Sequence, residues 1–516
     1  MMRSLLLILA FYASLGLPCS VGQPNIIYIM SDDHDADAIS AYNASMIQTP
    51  NIDRLAKEGT RYTHCFVGNS ICSPARATLL TGQHSHMNGV RDNRTPFDTG
   101  RTHIAHWLNM QGYQTALIGK WHLHSLPRGF QHWEILPGQG LYHQPRLIQM
   151  AGDTLTREGY ATEVITERTL DWLQNKRQAG KPFALFMHHK APHRNFLPAL
   201  KYLRQCANKT YPEPPTLLAD ALGRGKAWQL QTMTILKDMG LSRDLKVDPA
   251  LIADLPHFVQ NEEETRYYHG LMNRIPEPDR SAYKKIYAAR AETLRRQQPT
   301  GHALLKLKYQ WYMQDYMACI ASVDESVGAI LDYLDRTGLA GNTLVMYTSD
   351  QGFYLGENGW YDKRFMYDVS MHTPLLIRWP GKVVAGKVDD HLRQNIDFAP
   401  TILQTAGAPI PHQVQGISLW NEKAQNEREY LYYHYYEYAA DHTVIPHLGI
   451  RGQQYKLIYF YTVDEWELYD LATDPWEQKN LVNDPGHTNL LEILKGTLVK
   501  EARKYGDEEA IGHLTK

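Results

Sequence analysis

Cys72 begins a short segment whose residue types could carry reactive chemistry. The segment reads Cys72-Ser73-Pro74-Ala75-Arg76. Pro74 favours the first turn of a helix, so Cys72 is expected just before a helix N-terminus. That position lowers the pKa of a thiol and suits anion binding, and Arg76 can donate to the same anion. A buried free cysteine beside a surface arginine is the alternative interpretation of such a segment.

Further polar residues follow four predicted strands. They are Asp32 and Asp33, Lys120 and His122, His193, and Asp350 and Gln351, with Lys363 in a later polar segment. Catalytic groups of open α/β sheets lie at the carboxyl ends of strands. The carboxylates and the amide oxygen form a set suited to Ca²⁺ or Mg²⁺, and the lysines, histidines and Arg76 form a set suited to a tetrahedral oxyanion. Singly, each residue has a structural explanation, but packing alone accounts poorly for both sets together.

The elements that must position these residues alternate between strands and helices. Apolar segments predict strands at 24–33, 112–122, 182–189, 342–352 and 372–379, and helices at 49–56, 104–110 and 304–334. This alternation predicts an α/β fold with a mainly parallel sheet covered on both faces. The segment from about 200 to 310 is charged and mostly helical in pattern, so we interpret it as an insertion or cap. From about residue 411, alternating apolar and polar residues predict a smaller antiparallel sheet with a terminal helix.

Charge and hydropathy exclude some classes of protein. The 516 residues carry a formal charge of -2, which argues against a nucleic-acid partner. A basic start and an apolar run over 5–17 predict a signal peptide at residues 1–22, so the protein is expected to be exported, either periplasmic or secreted. No later stretch is long and apolar enough to predict a membrane span.

The cysteines and the N-x-S/T triplets place few constraints on the fold. Of the five cysteines, Cys19 is expected to leave with the signal peptide, and if Cys72 is modified at most one disulfide can form among the rest. Asn43, Asn93 and Asn208 each begin an N-x-S/T triplet, which matters only in a eukaryotic source.

Several motifs, in this order along the chain, resemble type I sulfatases. They are Asp32-Asp33, 72–82, 112–122, Ala191-Pro192-His193, Ser349-Asp350-Gln351-Gly352, Lys363-Arg364, and Leu468-Tyr469-Asp470-Leu471 with Asp474-Pro475. The Cys72 segment matches the motif in which this family oxidises the cysteine to formylglycine. The resemblance implies the fold of the alkaline phosphatase superfamily, with a catalytic domain at 23–410, a helical insertion at about 200–310 and a C-terminal subdomain at 411–516.

The resemblance also implies roles for the candidate residues. Asp32, Asp33, Asp350 and Gln351 correspond to the ligands of one Ca²⁺ ion, and the formylglycine at Cys72 completes its shell. Gln351 stands where the family more often has Asn, and it keeps an amide oxygen on a longer side chain. Arg76, Lys120, His122, His193 and Lys363 correspond to the sulfate-binding and acid–base residues.

A hydrated aldehyde explains why such a family modifies its cysteine. A thiol does not readily release a sulfate once bonded to it, whereas one hydroxyl of an aldehyde hydrate can attack sulfur and the other can later expel sulfate. The metal and Asp350 are expected to favour the ionised hydroxyl, and the lysines and the arginine to stabilise charge on the sulfuryl oxygens. His193 is the candidate acid for the departing sugar oxygen, and His122 is the candidate base that helps sulfate leave.

Other segments are similar to bacterial N-acetylglucosamine-6-sulfatases, which act on heparin and heparan sulfate. They lie at 190–195, 235–239, 350–354, 362–367 and 432–438. This similarity implies hydrolysis of the 6-O-sulfate of N-acetylglucosamine, with Asp362 and Arg364 binding sugar hydroxyls and His447 reaching the sugar from the C-terminal subdomain. The alternative for Asp362 and Arg364 is a surface ion pair that contributes little.

Three other functions remain open on the sequence. The chain could be a sulfatase of another sulfated glycan. It could be a phosphatase or phosphonate hydrolase of the same superfamily, although phosphatases there usually carry Ser or Thr as nucleophile. It could also be a non-catalytic glycan-binding protein with an unmodified Cys72. For a sulfatase, the expected partners are a sulfated glycan and the maturation enzyme that generates formylglycine.

Overall fold

The computed structural model describes residues 22–258 and 260–516. The predicted signal peptide at 1–22 lies outside the described residues, apart from Gly22. The strands are β1 Asn25–Asp32, β2 Thr60–Tyr62, β3 Cys65–Phe66, β4 Gln114–Lys120, β5 His132–Leu136, β6 Arg146–Gln149, β7 Thr154–Thr156, β8 Phe183–Pro192, β9 Thr343–Ser349, β10 Leu375–Arg378, β11 Lys387–Asp389, β12 Arg393–Gln394, β13 Tyr430–Tyr435, β14 His447–Gly452, β15 Tyr455–Phe460 and β16 Glu465–Asp470.

Helices separate most of these strands. They are α1 Pro50–Lys57, α2 Cys72–Thr81, α3 Ser85–Asn88, α4 Ile104–Met110, α5 Ala161–Asp171, α6 Leu200–Cys206, α7 Lys226–Leu230, α8 Glu262–Met272, α9 Asp279–Gln297, α10 Gly301–Arg336, α11 Asp368–Met371, α12 Phe398–Thr405, α13 Glu422–Asn426, α14 Thr488–Tyr505 and α15 Glu508–Leu514.

A ten-stranded sheet with the order β11-β2-β10-β9-β1-β8-β4-β5-β6-β7 forms the centre of the molecule. Its central strands β9, β1, β8, β4 and β5 are all parallel, and the antiparallel pairings lie towards the edges, where β10 joins β9 and β2 and where β6 joins β5 and β7. The mainly parallel sheet predicted from the alternation of elements is therefore confirmed. The carboxyl ends of four central strands meet along one edge of this sheet.

The apolar run of β1 is buried on both faces of the sheet. Ile27 and Ile29 pack into one core cluster, which includes residues of α1, α5 and α10, whereas Ile26 and Tyr28 pack into the opposite cluster with residues of α2, α4 and α12. Alternate side chains of a strand point to opposite faces, so a strand covered by helices on both sides reads as a continuous apolar run.

Helix α10 is the longest helix, with 36 residues, and it spans the segment where a long helix was predicted. Tyr312, Tyr316, Ile320 and Val323 are fully buried against the sheet. Tyr316 reaches the loop after β1, where its hydroxyl donates to the backbone oxygen of Asp33 at 2.6 Å and accepts from the backbone N–H of Asp35 at 2.9 Å. The helix thereby fixes the loop that carries the predicted carboxylates.

The segment from 200 to 310 is only partly helical. It contains α6, α7, α8, α9 and the first turns of α10, but 207–225 and much of 231–261 form turns and short helical segments. Farther along the chain, β13-β14-β15-β16 form the antiparallel four-stranded sheet predicted for the C-terminal part, and α14 follows it. The boundary between residues 410 and 411 stays a prediction.

Cys65, Cys72, Cys206 and Cys319 are buried and unpaired, so the described part of the chain holds no disulfide. Across residues 22–258 and 260–516, no helix combines the length and the hydropathy that a membrane crossing requires.

Candidate active site

The predicted polar residues converge at the N-terminus of α2. Asp32 ends β1, Lys120 ends β4, His193 follows β8 and Asp350 follows β9. Cys72 is the first residue of α2, and its Sγ lies 3.5 Å from Oδ1 of Asp32. The parallel sheet thus brings together side chains from four separate strands around one thiol.

Helix α2 is held rigidly at both ends. Its ten residues are all buried, and Asn93 caps the first turn by accepting the backbone N–H of Ser73 through Oδ1 at 3.0 Å. The helix ends at Gly82, whose φ of 63° lies in the left-handed region that glycine adopts without strain. The N-terminus, with its partial positive charge, faces the carboxylates.

Three carboxylates form the centre of the site. Oxygen atoms of Asp32, Asp33 and Asp350 all lie within 4.8 Å of one another, and the three residues are 0 to 2% exposed. Burial raises the pKa of Asp33 to about 7, against the lowering effect of Lys363, and it also raises the pKa of Asp350. Burial opposes ionisation of Asp32 too, but Lys120, with His193 and Arg76, holds its pKa well below the usual value.

Three cations offset these carboxylates. Lys120 donates to Asp32 in a short contact and to Oε1 of Gln139 at 2.5 Å. Nη2 of Arg76 lies 2.8 Å from Asp350, and Nζ of Lys363 lies 2.6 Å from Oδ1 of Asp33. We call Asp32, Asp33, Cys72, Arg76, Lys120, Asp350 and Lys363 the buried charge cluster. Such groups are stable away from water only when paired, which fixes their positions.

The carboxylate set fits a divalent cation. Oδ2 of Asp33 and Oε1 of Gln351 are buried and have no hydrogen-bond partner among the described residues. Unpartnered buried oxygens beside two further carboxylates are the donor set that Ca²⁺ prefers, and a bound cation would remove their mutual repulsion. Asp32, Asp33, Asp350 and Gln351 are therefore the residues that would hold it.

Two histidines lie next to the cluster. His193 donates from Nδ1 to the backbone oxygen of Arg194 at 2.6 Å, and its Nε2 lies 3.8 Å from Asp33. Nδ1 of His122 lies 3.4 Å from Oγ of Ser73. Burial is the main cause that lowers the pKa of both rings. The charges of Lys120 and Arg76 lower the pKa of His122 further, to about 2. In each ring Nε2 is left to exchange a proton.

The thiol of Cys72 differs from its prediction. The sequence predicted a lowered pKa at a helix N-terminus, but burial raises the pKa of Cys72 well above the usual thiol value. Lys363 and Lys120 act in the opposite direction, and Asp32 and Asp350 reinforce the increase. Full burial next to carboxylates raises the pKa of Cys72 more than the helix N-terminus lowers it, so the unmodified thiol stays protonated.

A cavity of about 250 Å³ opens from the cluster. His193 and Lys363 line its inner part, together with Lys190 and Gln139, for which the sequence predicted no role. Lys190 stands three residues before His193, within the segment 190–195 that is similar to N-acetylglucosamine-6-sulfatases, and its Nζ lies 4.6 Å from the ring centroid of Tyr142. A cationic inner wall of this kind suits an anionic substrate.

Asp362 and Arg364 line the same cavity and are buried, so they do not form a surface ion pair. Nε of Arg364 donates to Asp362 at 3.0 Å, and its Nη1 makes a short contact with Glu437. Both residues adopt left-handed backbone conformations, with φ of 78° and 97°. Non-glycine residues rarely adopt such conformations, and those that do concentrate at functional sites.

His447 does not reach this cavity. Its ring is fully buried, accepts the backbone N–H of Met366 at 3.0 Å and pairs with the backbone oxygen of Ile445 at 2.9 Å. His442 lies at the cavity instead, 3.2 Å from Oδ2 of Asp362. The sequence analysis expected His447 to reach the sugar, but the histidine that lines the cavity lies in the loop before β14 rather than in β14 itself.

Two family models match the chain. The model described as Sulfatase matches residues 24–408, and the model described as N-sulphoglucosamine sulphohydrolase, C-terminal, matches residues 356–504. The matches overlap, so they leave the predicted boundary at 410 untested.

Sequence relatives agree with these models. An N-acetylglucosamine-6-O-sulfatase of Bacteroides thetaiotaomicron is 43% identical over 460 residues, which cover 87% of this chain and 81% of that protein. The steryl-sulfatase of Homo sapiens is 26% identical over 81% of this chain and 73% of that protein.

Solved structures share the fold. A protein in complex with its substrate D-glucosamine-2-N,6-O-disulfate has a TM-score of 0.89 and 41% identity, covering 95% of this chain and 99% of that chain. A phosphonate monoester hydrolase of Silicibacter pomeroyi has a TM-score of 0.62 and 20% identity, covering 94% and 96%. The second likeness concerns the fold alone.

Proposed function

The chain belongs to the sulfatase family, and from that premise we propose that it hydrolyses the 6-O-sulfate of N-acetylglucosamine in heparin or heparan sulfate. The observation that carries this proposal is the buried charge cluster around Cys72, with an anion-binding cavity above it. The relative at 43% identity and the substrate-bound neighbour support the choice of a 6-O-sulfated glucosamine.

Two groups complete the site. Oxidation of Cys72 to formylglycine, followed by hydration, supplies the nucleophilic hydroxyl that the protonated thiol lacks. Asp32, Asp33, Asp350 and Gln351 would hold a Ca²⁺ ion, whose positive charge would favour the ionised form of the hydroxyl.

The cations of the cluster bind and orient the sulfate ester. Arg76 contacts Asp350 and the backbone oxygen of Lys120, Lys120 contacts Asp32, and Lys363 lies where the cluster meets the cavity. Their charges stabilise the negative charge that grows on the sulfuryl oxygens as the ester bond breaks. Because each cation is fixed by an ion pair, little reorganisation is needed during the reaction.

His193 is placed to give a proton to the departing sugar oxygen. Its Nδ1 is engaged by the backbone oxygen of Arg194, so Nε2 is the atom that carries the proton into the cavity. A bound anionic sulfate favours the protonated ring. His122, whose Nδ1 contacts Oγ of Ser73 next to residue 72, is the base that we assign to sulfate release.

Substrates with different leaving groups test the role of His193. A His193→Ala enzyme should lose about 10²-fold or more on a sugar sulfate, whose alkoxide is a poor leaving group, and much less on para-nitrophenyl sulfate. Initial rates on both substrates are the measurement. Equal losses on the two would remove His193 from the acid role.

We also propose that Asp362 and Arg364 bind the sugar ring, with His442 in place of His447. The three side chains form a connected group that lines the cavity, and Glu437 holds Arg364 from behind. This arrangement leaves their remaining polar atoms to bind sugar hydroxyls.

The maturation step follows from burial. Cys72 is 0% exposed, so a maturation enzyme has access to it only before the chain folds. We therefore propose that a formylglycine-generating enzyme acts on the unfolded segment, and that the protein is exported through the signal peptide at 1–22 to the periplasm or the exterior.

Sulfate release from defined monosaccharides tests the proposed function. Protein made with a maturation enzyme should release inorganic sulfate from 6-O-sulfo-N-acetylglucosamine much faster than from the 3-O-sulfo isomer, and faster than it releases phosphate from the 6-phosphate. Intact mass should show the loss of sulfur and two hydrogens and the gain of one oxygen at Cys72. Preferred turnover of the phosphate would favour the phosphatase alternative. An unmodified thiol without sulfate release would favour a glycan-binding protein.

A further inference from the structure

The outer wall of the cavity carries cationic side chains that the proposed reaction does not use. Arg243, Tyr267 and Arg274 line this wall, and they come from the segment before α8, from α8 itself and from the turn after it. We call these three residues the outer subsite. None of them belongs to the buried charge cluster or to the group around Asp362.

The arginines of this region differ in whether a carboxylate neutralises them. Arg194 forms two hydrogen bonds of 2.7 Å with Asp244, so its charge is balanced. Arg243 and Arg274 form no ion pair within 4.0 Å with any residue of 22–258 or 260–516. Their charges are therefore available to an incoming anion.

The carboxylates near Arg243 are already engaged. Asp244 binds Arg194, and Glu264 accepts the backbone N–H of Arg243 at 2.8 Å without pairing with its guanidinium. Nε of Arg243 is buried and has no hydrogen-bond partner among the described residues. A guanidinium with an unpartnered buried N–H is incompletely satisfied until an acceptor enters the cavity.

Tyr267 holds Arg243 in place. The guanidinium carbon of Arg243 lies 5.0 Å from the ring centroid of Tyr267, which is a cation–π distance. The Tyr267 hydroxyl donates to Oδ1 of Asn195 at 2.9 Å, and Nδ2 of Asn195 donates to the backbone oxygen of Arg243 at 3.3 Å. Asn195 stands two residues after His193, so the outer subsite lies at a fixed position relative to the reaction.

We propose that the outer subsite binds a second anionic group of the same glycan, so that the preferred substrate carries an anion besides its 6-O-sulfate. The chemistry is a planar or tetrahedral oxyanion bound by arginine: the N-sulfate of the glucosamine, or the carboxylate of a neighbouring uronic acid. This inference rests on the proposed function, because the same cavity must hold the 6-O-sulfated sugar.

The acidic residue Asp441 also lines the cavity, but it forms no ion pair with either arginine. It sets a limit on the net positive charge of the wall. Since Arg274 is exposed and Arg243 is half-buried, we expect Arg243 to contribute more to binding, because a desolvated charge is screened less by water and salt.

The test compares three substrates on four enzymes. The substrates are 6-O-sulfo-N-acetylglucosamine, glucosamine-2-N,6-O-disulfate, and a disaccharide with 6-O-sulfo-N-acetylglucosamine linked to a uronic acid. The enzymes are the wild type, Arg243→Gln, the double variant Arg243→Gln with Arg274→Gln, and the control Arg266→Gln. Arg266 is an exposed arginine on α8 that does not line the cavity, so its variant matches the loss of charge.

We expect the double variant to lower kcat/KM about fivefold to tenfold on one or both doubly charged substrates. Turnover of 6-O-sulfo-N-acetylglucosamine should stay within about twofold, and Arg266→Gln should match the wild type on all three. Arg243→Lys should restore part of the loss. The substrate that shows the loss identifies the N-sulfate or the carboxylate as the group bound.

Equal losses on all three substrates, or no loss on any, would overturn the outer subsite while leaving the proposed function intact. Absence of sulfate release by the wild type would instead contradict the proposed function. Calorimetric binding of glucosamine-2-N-sulfate and of free glucuronate, neither of which has a 6-O-sulfate, tests the subsite without turnover. Equal binding of both to the wild type and to the double variant would overturn it.

Discussion

The inner and outer ends of the cavity are built on different principles. The buried charge cluster uses the ends of neighbouring parallel strands, excludes water and pairs every cation with a carboxylate. The outer subsite uses a segment that begins about 50 residues after β8 and is partly exposed, and its arginines have no ion-pair partner in the part of the chain that the structure describes. This contrast matches the roles that we propose, with the reaction at the inner end and recognition of the glycan at the outer end.

The comparison also separates two kinds of carboxylate. Burial raises the pKa of Asp33, in the cluster; Lys363 acts in the opposite direction, and the neighbouring carboxylates Asp32 and Asp350 add to the increase. Asp362, in the cavity wall, has a pKa well below the usual value because His442, Lys363 and Arg364 outweigh the effect of burial. The two carboxylates thus differ in whether nearby cations outweigh burial: those around Asp362 do, and Lys363 beside Asp33 does not.

The largest effect should come from the inner end. Replacing Cys72 with Ala removes the proposed nucleophile and should lower sulfate release by about 10³-fold or more. Cys206→Ala, at another buried cysteine far along the chain, is the matched control and should retain activity. Rates on 6-O-sulfo-N-acetylglucosamine measure both. Substantial turnover by Cys72→Ala would place the chemistry elsewhere.

Removing the divalent cation should have the next largest effect. Chelation should lower activity by about 10²-fold and also lower the unfolding temperature, because Asp32, Asp33 and Asp350 then repel one another. Differential scanning calorimetry with and without added Ca²⁺ gives a readout that does not depend on turnover. An unfolding temperature that changes with neither chelator nor Ca²⁺ would argue against a cation at these carboxylates.

Asp362, in the cavity wall, should affect the turnover of a sugar sulfate more than that of an aryl sulfate. Asp362→Asn should lower turnover of the sugar sulfate by about tenfold or more but change that of para-nitrophenyl sulfate by less than about threefold. Asn tolerates a left-handed backbone, so the variant keeps the local conformation at φ 78°. Parallel losses on both substrates would move Asp362 from recognition to the reaction.

The smallest expected effect concerns pH. In cation-free protein, the raised pKa of Asp33, about 7, means that the folded state binds a proton more tightly than the unfolded chain does. Stability from this group is therefore present below its usual pKa and is lost as pH rises through about 7. The unfolding temperature of the wild type should fall by a few degrees between pH 6 and pH 8, and Asp33→Asn should flatten that dependence. A dependence unchanged in Asp33→Asn would contradict this assignment.

The sequence predicted the inner end better than the outer end for a physical reason. Asp32, Lys120 and Asp350 each follow an apolar run, and the carboxyl ends of parallel strands must meet, so local patterns were enough to place these residues together. The mainly parallel sheet followed from the same patterns. Their roles as ligands and catalysts remain proposals.

The pKa of Cys72, the histidine at the cavity and the outer subsite depend on contacts between distant segments, which local sequence patterns do not reveal. The raised pKa of Cys72 results from its full burial by distant elements, which overrides the helix end. His442 rather than His447 lies at the cavity because the loop before β14 bends towards Asp362. Arg243 and Tyr267 come from the segment interpreted only as a helical insertion or cap, and a helical pattern does not indicate that their side chains contact Asn195 and line the cavity.

Asn93 gives one practical consequence. Its side chain caps α2, it lines the cavity, and it begins the triplet Asn93-Arg94-Thr95. An oligosaccharide attached there during passage through a eukaryotic secretory pathway would obstruct the entrance to the cavity and compete with the cap. Recombinant production in bacteria, which avoids that modification, is therefore the route that preserves the entrance.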